Sequence, residues 1–471
     1  DQMLELHVTT VNDLASVVPS FSVSQSYQGV PTYTLRGIGF NTINLSATST
    51  VGTYVDEVAY AYPMMNTGPI MDLERVEVLK GPQGTLYGRN TTAGLIDFVT
   101  NKPTNSFEAG LTAEVGNYKT HNFEGFVSGP LAEGVQARVA FRTDDSDEGW
   151  QRSNTRGEKL GEIHRYGVRA SLALQPTEAL SIDASLTLWR NKSDTVAAQG
   201  IGFTPATAAS PFNAAGLNSY IATPMPTDAT QADWAPYARR ATDIGTGLGI
   251  GGPLRESNDF TGVKVKVAYD IGEHMRLVSL TNYNELTRDA TFDWSGAPYE
   301  ILVQKAAGHI ESIAEELHLE GETDTVNWLV GLYYGEDTLL DSNRTMLGDN
   351  ANVGTIRFYT NSLLLSPFNS GGYTALQASQ AFRTYRDQGD IDVTTQSVFA
   401  NADWRLNDQF KLTAGLRYTK DKQDYAGCSR DFNGNMLPNV NITNRFLFFA
   451  AHGLVAPISQ GQCNTFNPTT H

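Results

Sequence analysis

From Phe107 onward, apolar and polar residues alternate along the chain in segments of about ten residues. Alternation with a period of two places apolar side chains on one face of a strand and polar side chains on the other. The pattern is clearest at residues 135–141, 166–174, 180–188, 263–269 and 410–418. A soluble sandwich also alternates, so a single segment decides little. Many such segments with charged residues on the polar face favour a membrane-spanning β-barrel, in which the apolar face meets lipid.

Short turns and long connections also alternate along this part of the chain. The short turns lie at residues 129–134, 176–179, 272–274, 321–324 and 407–408. The long connections lie at residues 145–163, 191–258, 289–308, 337–392 and from 427 onward. A chain that runs up and down a barrel in this way carries its long connections on one side, as outer-membrane barrels do with their extracellular loops.

This order of turns predicts about eleven strands, half of the 22 strands found in barrels with a plugged lumen. Half a barrel would expose two unpaired strand edges to the bilayer, where their backbone groups have no partners. We therefore expect further strands to follow residue 471 in the native protein. An intact mass near 51.3 kDa for the protein extracted from membranes would contradict this expectation.

Composition narrows the class of protein. Charged residues make up 18% and hydrophobic residues 40% of the 471 residues, and mean hydropathy is −0.29, which is typical of a globular or barrel protein. No run approaches the roughly 18 consecutive apolar residues of a membrane-spanning helix, so a membrane protein of this sequence must be a β-barrel. The net charge of −17 argues against binding to nucleic acid, because phosphate would be repelled.

A different pattern occupies residues 72–103, DLERVEVLKGPQGTLYGRNTTAGLIDFVTNKP. Two strand-like runs, residues 75–79 and 95–100, flank a segment with several glycines, which permit tight turns with positive φ. The pattern predicts a small sheet whose two strands are joined by a compact loop.

The sequence of this stretch resembles that of the plug domain of TonB-dependent outer-membrane receptors. In that family a strand of the form IERIEVLRGP precedes a LYG turn and a GGVINIITK strand; here LERVEVLKGP, LYG and GLIDFVTNK follow in the same order. The likeness extends upstream to LRG at residues 35–37 and YVDEV at residues 54–58, which correspond to the family's IRG and VDGV positions.

The resemblance implies an all-β transmembrane barrel of about 22 antiparallel strands, about half of them present here, with an N-terminal α+β plug domain in the lumen. The plug spans residues 1–104. The N-terminal part of the barrel spans residues 105–471, with long extracellular loops at about 191–258, 337–392 and 427–471. The implied location is the bacterial outer membrane. Neither a signal peptide nor a TonB-box-like segment is visible, so either the box lies upstream or coupling to TonB does not apply.

The family's activity implies active transport of a scarce nutrient, and a ferric siderophore or similar chelate is favoured because such substrates are frequent in the family. The implied partners are TonB with the ExbB–ExbD motor, outer-membrane lipid and lipopolysaccharide, and a small-molecule substrate. Neither nucleic acid nor a cofactor is expected. The alternative is a structural or assembly subunit, or an anchor, in an outer-membrane complex without energised transport. Loss of uptake on removal of TonB separates the two.

In the family, the loops after the IRG and VDGV strands form the plug apex that substrate meets, and here they correspond to residues 39–49 and 59–68. The resemblance implies a substrate-contacting surface of aromatic, thioether and amide side chains, suited to apolar or sugar-ring contacts. These residues are Phe40, Asn41, Asn44, Tyr60, Tyr62, Met64, Met65 and Asn66. Packing of the plug against the barrel is the rival interpretation of the second loop.

Plug charges hold the plug against the barrel wall in the family. The resemblance implies this role for Arg36, Asp56, Glu74, Arg75, Glu77 and Lys80. Solvated strand edges are the alternative. Partly exposed ion pairs would each be weak, which suits a plug that must shift.

Candidate chemistry beyond the plug is limited. Cys428 and Cys463 fall in the last predicted connection; a secreted compartment favours a disulfide between them, and two free thiols are the alternative. The eight histidines are scattered, and no CxxC, HExxH, Walker A or GxSxG motif occurs. We therefore expect neither a metal site nor an enzyme.

Overall fold

The computed structural model describes residues 10–26, 28–201, 226, 228–236, 253–298, 302–347, 384–431, 459 and 461–463. Its two helices are short 3₁₀ helices, Val11–Ser16 and Pro63–Asn66. Pro19 and Pro69 follow them closely, and a proline disfavours helical conformation in the residue before it. The helical component of the predicted α+β plug is therefore reduced to these turns in the described residues. None of the helices described is long and apolar enough to cross a membrane.

The plug contains two small sheets. Its strands are β1 (Phe21–Gln25), β2 (Pro31–Leu35), β3 (Ile38–Gly39), β4 (Val51–Val55), β5 (Val58–Ala59), β6 (Leu73–Lys80) and β7 (Gly94–Thr100). The first three form one sheet, and the others form a second sheet in the order β5, β4, β7, β6. The predicted pairing within residues 72–103 is confirmed, because β6 and β7 are antiparallel neighbours.

Gly94 explains how β7 begins so close to β6. Its φ is +141°, and an added Cβ would lie 2.2 Å from the carbonyl oxygen of Leu79. Only glycine fits at this position without moving the backbone of the neighbouring strand.

Most of the remaining described residues form long strands. They are β8 (Glu108–Gly116), β9 (Thr120–Ala132), β10 (Val135–Ser146), β11 (Gln151–Ser153), β12 (Lys159–Leu160), β13 (Ile163–Thr177), β14 (Leu180–Asn191), β15 (Gln231–Ala232), β16 (Glu256–Ile271), β17 (Met275–Asp293), β18 (Leu302–Glu322), β19 (Val326–Leu347), β20 (Thr384–Arg405) and β21 (Lys411–Asp431). All except β11, β12 and β15 form one sheet of 11 strands, the barrel sheet, in which neighbours in sequence are antiparallel neighbours in space. The predicted strand number is confirmed.

The two faces of the barrel sheet differ as the alternation predicts. Outward side chains such as Val139, Leu186, Val263 and Leu416 are exposed. Inward side chains such as Arg138 are buried where they contact the plug. The alternation therefore predicts the outward side chains named here correctly.

Several connections are shorter than predicted. The connection expected at residues 337–392 is wrong in its bounds, because β19 continues to Leu347 and β20 begins at Thr384. The connection expected from residue 427 is also wrong at its start, because β21 continues to Asp431.

The strands continue beyond the segment in which apolar and polar residues alternate. Thr338 of β19 donates a hydrogen bond to Asp392 of β20 (3.1 Å), and both are exposed side chains on the outer face. Backbone pairing continues there although the outward side chains at these two positions are polar. A prediction that relies on apolar alternation therefore ends β19 and β21 too early and begins β20 too late.

Two of the long connections meet above the barrel sheet. The strand β11, from the connection between β10 and β13, pairs in parallel with β15, from the connection between β14 and β16. Asp233 is buried next to β15 and accepts hydrogen bonds from the hydroxyl groups of Ser153 (2.9 Å) and Thr155 (2.8 Å). These contacts order part of the long-connection end.

Candidate functional site

The segment between β5 and β6 packs against the barrel sheet. Tyr62, Met64 and Met65 are each 1% exposed and belong to one apolar cluster with inward residues of the barrel sheet. The barrel residues in this cluster are Trp189, Phe260, Leu286, Ile310, Leu339 and Ile391. The ring centroid of Tyr60 lies 5.2 Å from that of Phe260. These contacts favour the rival interpretation, plug-to-barrel packing, for four predicted apex residues.

The remaining predicted apex residues are Phe40, Asn41, Asn44 and Asn66. The first three are exposed and the last is half-buried. The loop after β3 is held at Ser46, whose backbone and hydroxyl groups donate to the carboxylate of Asp341 (3.4 Å each). Because Asp341 lies in the half of β19 nearer the long connections, this loop presents its exposed side chains at that end of the barrel sheet.

A single barrel carboxylate joins two parts of the plug. Asp337 of β19 is buried, accepts a hydrogen bond from the hydroxyl of Tyr62 (3.0 Å), and pairs with Arg89 in the loop between β6 and β7. Ser312 of β18 donates to its other oxygen. Burial, with the neighbouring Asp337 carboxylate, raises the pKa of Tyr62, so the phenol remains a neutral donor. We call this set the Asp337 network.

A buried ion pair forms a second connection. In it, Nε of Arg138 lies 2.6 Å from Oδ2 of Asp72, and Nη2 lies 2.5 Å from Oδ1. The backbone nitrogen of Asp72 also donates to Glu124 of β9 (2.8 Å). The Arg138 guanidinium lies 3.9 Å from the ring centroid of Phe126. Bidentate geometry of this kind gives strong, directional pairing.

Of the predicted plug charges, Asp56 lies close to a barrel cation. Its carboxylate is 3.7 Å from the Nζ atom of Lys264 and accepts hydrogen bonds from the backbone and hydroxyl of Thr100. The adjacent Glu57, which the sequence analysis did not select, pairs with Lys266 of the barrel sheet (2.7 Å).

The other predicted plug charges make their described contacts within the plug. Arg75 pairs with Glu74 and Glu77 on the same strand. Lys80 donates to a plug backbone carbonyl (3.0 Å), and Arg36 is exposed in the turn between β2 and β3. Because β6 is the edge strand of its sheet, its side chains reach solvent. In the described residues these side chains correspond to the alternative, solvated strand edges, and not to barrel contacts.

Two further connections lay outside the predicted set. Arg288 of β17 donates to the backbone carbonyl of Gln28, whose amide also donates to Gln304 (3.1 Å). Arg417 of β21 donates to the backbone carbonyl of Leu86 (3.2 Å). The sequence does show that Arg288 and Arg417 are charged residues at inward positions of alternating segments. It does not show which plug residue each of them contacts.

Asp97 is a buried carboxylate in the plug sheet. It lies on β7, opposite Tyr54 of β4 and Glu77 of β6, and is 7% exposed. Its Oδ1 atom has no hydrogen-bond partner among the described residues. Burial raises the pKa of Asp97 to about 6, and the nearby carboxylates of Asp56 and Glu77 add to the effect.

We expect the plug to lose stability as pH rises through this pKa. The folded-state pKa lies above the ordinary value of 3.8, so the stabilisation is fully present below pH 3.8 and is lost as pH rises through about 6. The loss is roughly 3 kcal/mol at about 1.4 kcal/mol per pKa unit. Asp97→Asn should abolish it. The measurement is hydrogen exchange of β4, β6 and β7 against pH, corrected for the intrinsic rate. Glu74→Gln, at an exposed carboxylate, is the control, and the same pH dependence in Asp97→Asn would contradict the assignment.

Cys428 and Cys463 form a disulfide in the structure, with Cα atoms 5.1 Å apart. Cys428 lies in β21, and Cys463 forms an antiparallel bridge with Arg430 of the same strand. The bond therefore attaches residues 461–463 to the long-connection end of β21.

We expect both thiols to resist alkylation until a reductant is added, because each sulfur is held in the bond. Closing a loop of 35 residues stabilises the connection by about 3–4 kcal/mol in the chain-entropy picture. The measurement is mass spectrometry of the protein alkylated under denaturing conditions, with and without prior reduction. Alkylation of both cysteines without reduction would show two free thiols.

The barrel sheet also brings together three outward side chains that the sequence leaves apart. Glu285, His309 and Glu311 have ligand atoms within 4.8 Å of one another. These side chains are close together because β17 and β18 pair with Glu285 directly opposite Glu311. Its members face away from the plug and are partly or fully exposed, so we assign it no role in the site.

The chain matches two families along its length. Residues 1–95 match the family described as TonB-dependent Receptor Plug Domain. Residues 188–467 match the family described as TonB dependent receptor-like, beta-barrel.

Curated relatives agree with these matches at low identity. The pesticin receptor of Yersinia enterocolitica is 23% identical over 452 residues, which cover 93% of this chain and 54% of the relative. The iron-regulated outer membrane virulence protein of Vibrio cholerae is 23% identical over 262 residues, 53% of this chain and 38% of the relative. The chain thus spans about half the length of the pesticin receptor.

Solved structures share the fold. The ferric yersiniabactin uptake receptor FyuA from Yersinia pestis superposes with a TM-score of 0.64 at 17% identity, covering 92% of this chain and 57% of that one. FpvA of P. aeruginosa, bound to a heterologous pyoverdine, gives 0.61 at 14% identity, covering 91% and 52%. Since the barrel family alone matches more than half of the chain and the plug family matches its start, the chain belongs to the TonB-dependent receptors, a family of outer-membrane transporters rather than enzymes.

Proposed function

We propose that this chain is the plug and part of the barrel of a receptor that takes up a ferric siderophore or a similar chelate. In this proposal the plug spans residues 1–104, and residues 105–471 contribute to a barrel of about 22 antiparallel strands. The barrel lies among outer-membrane lipid and lipopolysaccharide. TonB, with the ExbB–ExbD motor, supplies the energy that remodels the plug.

The observation that carries the proposal is a plug whose sheets are separate from the barrel sheet and which is attached to its inward face by side-chain contacts, both polar and apolar. The Asp337 network and the pair between Asp72 and Arg138 are localised connections between otherwise separate sheets. No plug strand pairs with a barrel strand among the described residues, so a pulling force has to break side-chain contacts and not a ladder of backbone hydrogen bonds. This arrangement suits a plug that must move to let substrate pass.

The relatives support an iron chelate as the class of substrate. FyuA is described as a ferric yersiniabactin uptake receptor, and a Pseudomonas putida relative as a ferric-pyoverdine receptor. In this chain the exposed loop after β3 is the surface we assign to first contact with substrate, through Phe40, Asn41 and Asn44. This loop is held to the barrel sheet through Leu45, which belongs to the same buried apolar cluster as Tyr62, Met64 and Met65. Tyr60 packs against that cluster.

The experiment is uptake of iron-55 chelates by cells that carry the complete receptor. Uptake should be lost when the gene for TonB is deleted or when a protonophore collapses the proton gradient. Phe40→Ala should lower uptake while the receptor remains folded in the membrane. A structural or assembly subunit would instead show no energy-dependent uptake of any ferric chelate, and its loss would disturb the envelope with or without TonB.

A further inference from the structure

A cavity lies between the plug and the inward face of the barrel sheet. Its volume is about 230 Å³, and a cavity of about 150 Å³ is large enough to hold benzene. One wall comes from the plug, with Tyr54, Tyr60 and Arg89, and the other from the barrel sheet, with Tyr333 and Arg417. There is room for one aromatic ring with a small substituent.

Arg417 gives this cavity its charge. Its guanidinium carbon lies 5.0 Å from the ring centroid of Phe399 and 5.6 Å from that of Tyr333. It donates to the carbonyl of Leu86 (3.2 Å) and to the hydroxyl of Thr419 (3.3 Å). Within the part of the chain that the structure describes, no carboxylate oxygen pairs with it within 4.0 Å. Its hydrogen bonds go to neutral groups, and the carboxylate of Glu316, which also lines the cavity, interacts with it through space and not by direct contact. A half-buried cation without a direct carboxylate contact favours an anion beside it.

The other charged groups of the cavity already have partners. Glu57 pairs with Lys266 (2.7 Å), and a carboxylate oxygen of Glu316 lies 3.1 Å from Nδ1 of His318. Arg89 is bound to Asp337. Arg417 is therefore the cation of this wall that is left to bind an entering anion.

The rest of the lining is aromatic. The rings of Tyr54 and Tyr87 meet edge to face with centroids 5.0 Å apart, and Tyr60, Tyr333 and Phe399 also line the space. Aromatic walls favour a planar, apolar ring through stacking and edge contacts. Together with Arg417 they select a ring that carries a negative charge.

The cavity lies on the far side of the Asp337 network from the long connections. Tyr333 and Leu329, which line it, lie between Asp337 and the short-turn end of β19. The buried apolar cluster, with Leu339 on the same strand, lies on the other side of Asp337. A group in the cavity has therefore already passed the level of that cluster.

We propose that this cavity binds an anionic aromatic group, an aryl carboxylate or phenolate, with its charge on Arg417 and its ring among the surrounding tyrosines. The site holds one arm of a ligand on its way past the plug. This role in passage rests on the proposed transport function, whereas binding at the site does not.

Fluorine-19 NMR of the complete receptor in detergent tests the site with 4-fluorobenzoate as the probe. Arg417→Gln should weaken binding by about tenfold to a hundredfold, the usual range for losing a hydrogen bond to a charged group. Arg417→Lys should restore part of it. Ala59→Leu, which fills the cavity without changing charge, should also weaken binding. The control is Arg190→Gln, at an arginine that is 56% exposed. The uncharged 4-fluorobenzyl alcohol should bind poorly.

Unchanged probe binding in both Arg417→Gln and Ala59→Leu would overturn the site, as would no binding to the unaltered receptor. Uptake of a ferric chelate is measured in parallel. Uptake without probe binding would refute this site and leave the proposed function standing. Probe binding without TonB-dependent uptake of any ferric chelate would refute the proposed function and leave the site standing.

Discussion

Replacing Arg138 by methionine is expected to weaken the attachment of the plug to the barrel sheet by about 3–5 kcal/mol. The change leaves the carboxylate of Asp72 buried without its two charge-assisted hydrogen bonds. A buried carboxylate has no water to replace them, so nearly the full cost of desolvation appears in the stability. The measurement is the urea concentration at which the plug becomes sensitive to protease while the barrel sheet remains folded.

Two variants make this test specific. Arg75→Met removes an arginine that is 50% exposed and pairs with exposed carboxylates, so we expect the urea midpoint to stay close to that of the unaltered protein. Combining Arg138→Met with Asp72→Leu removes both buried charges and should recover much of the loss. If Arg138→Met and Arg75→Met shift the urea midpoint equally, the buried pair does not hold the plug.

Asp337→Ala should release two separate plug segments at once, at a cost of about 3 kcal/mol. The Tyr62 hydroxyl and the Arg89 guanidinium both bind this carboxylate, so its loss leaves both donors without their acceptor. Hydrogen exchange should rise in residues 60–66 and in residues 84–91 together. Mass spectrometry of peptides from these two segments makes the measurement.

The controls for Asp337 lie on its own strand and among its partners. Glu336→Ala changes the adjacent residue, which is exposed on the outer face, and should leave both segments unchanged. Tyr62→Phe removes one hydrogen bond and should affect residues 60–66 alone, by about 0.5–1.5 kcal/mol or somewhat more because the acceptor is charged. Faster exchange in one segment only after Asp337→Ala would mean that the carboxylate does not couple them.

Because Tyr62 is buried, the effect of Tyr62→Ala on uptake does not report substrate contact directly. Tyr62→Ala would open a hole in the apolar cluster between plug and barrel, so loss of uptake in that variant would report packing and not substrate contact. Phe40→Ala is the more informative variant, because that ring is 56% exposed.

Much of the barrel sheet could be predicted because its rules are local. In a strand between lipid and lumen, consecutive side chains point alternately to lipid and to the lumen. The apolar residues within 180–188 and 263–269 can therefore be assigned to the outward face from the sequence alone. Short turns and long connections then give the strand order, which the structure confirms. The pairing of β6 with β7 was also accessible, because the glycine-rich loop between them lies in one stretch of sequence.

Predictions about the site were weaker because its partners are distant in sequence. Asp72 and Arg138 are 66 residues apart, and Tyr62 and Asp337 are 275 apart. The family resemblance directed attention to Glu74, Arg75, Glu77 and Lys80, which lie on an edge strand and make their described contacts inside the plug. An alternating pattern places a charge on the inward face, but it does not say which plug residue that charge meets.

The sequence by itself determined the barrel class, the outward face of the clearly alternating strands, the order of turns and the plug family, because these depend on neighbouring residues and on a contiguous motif. Only the tertiary structure decided which side chains join plug to barrel, which apex residues are buried, and where the strands end beyond the apolar band. Those features depend on the register of long strands and on how the plug sits against them. Both are set by the sum of many weak contacts between distant parts of the chain, which no single stretch of sequence contains.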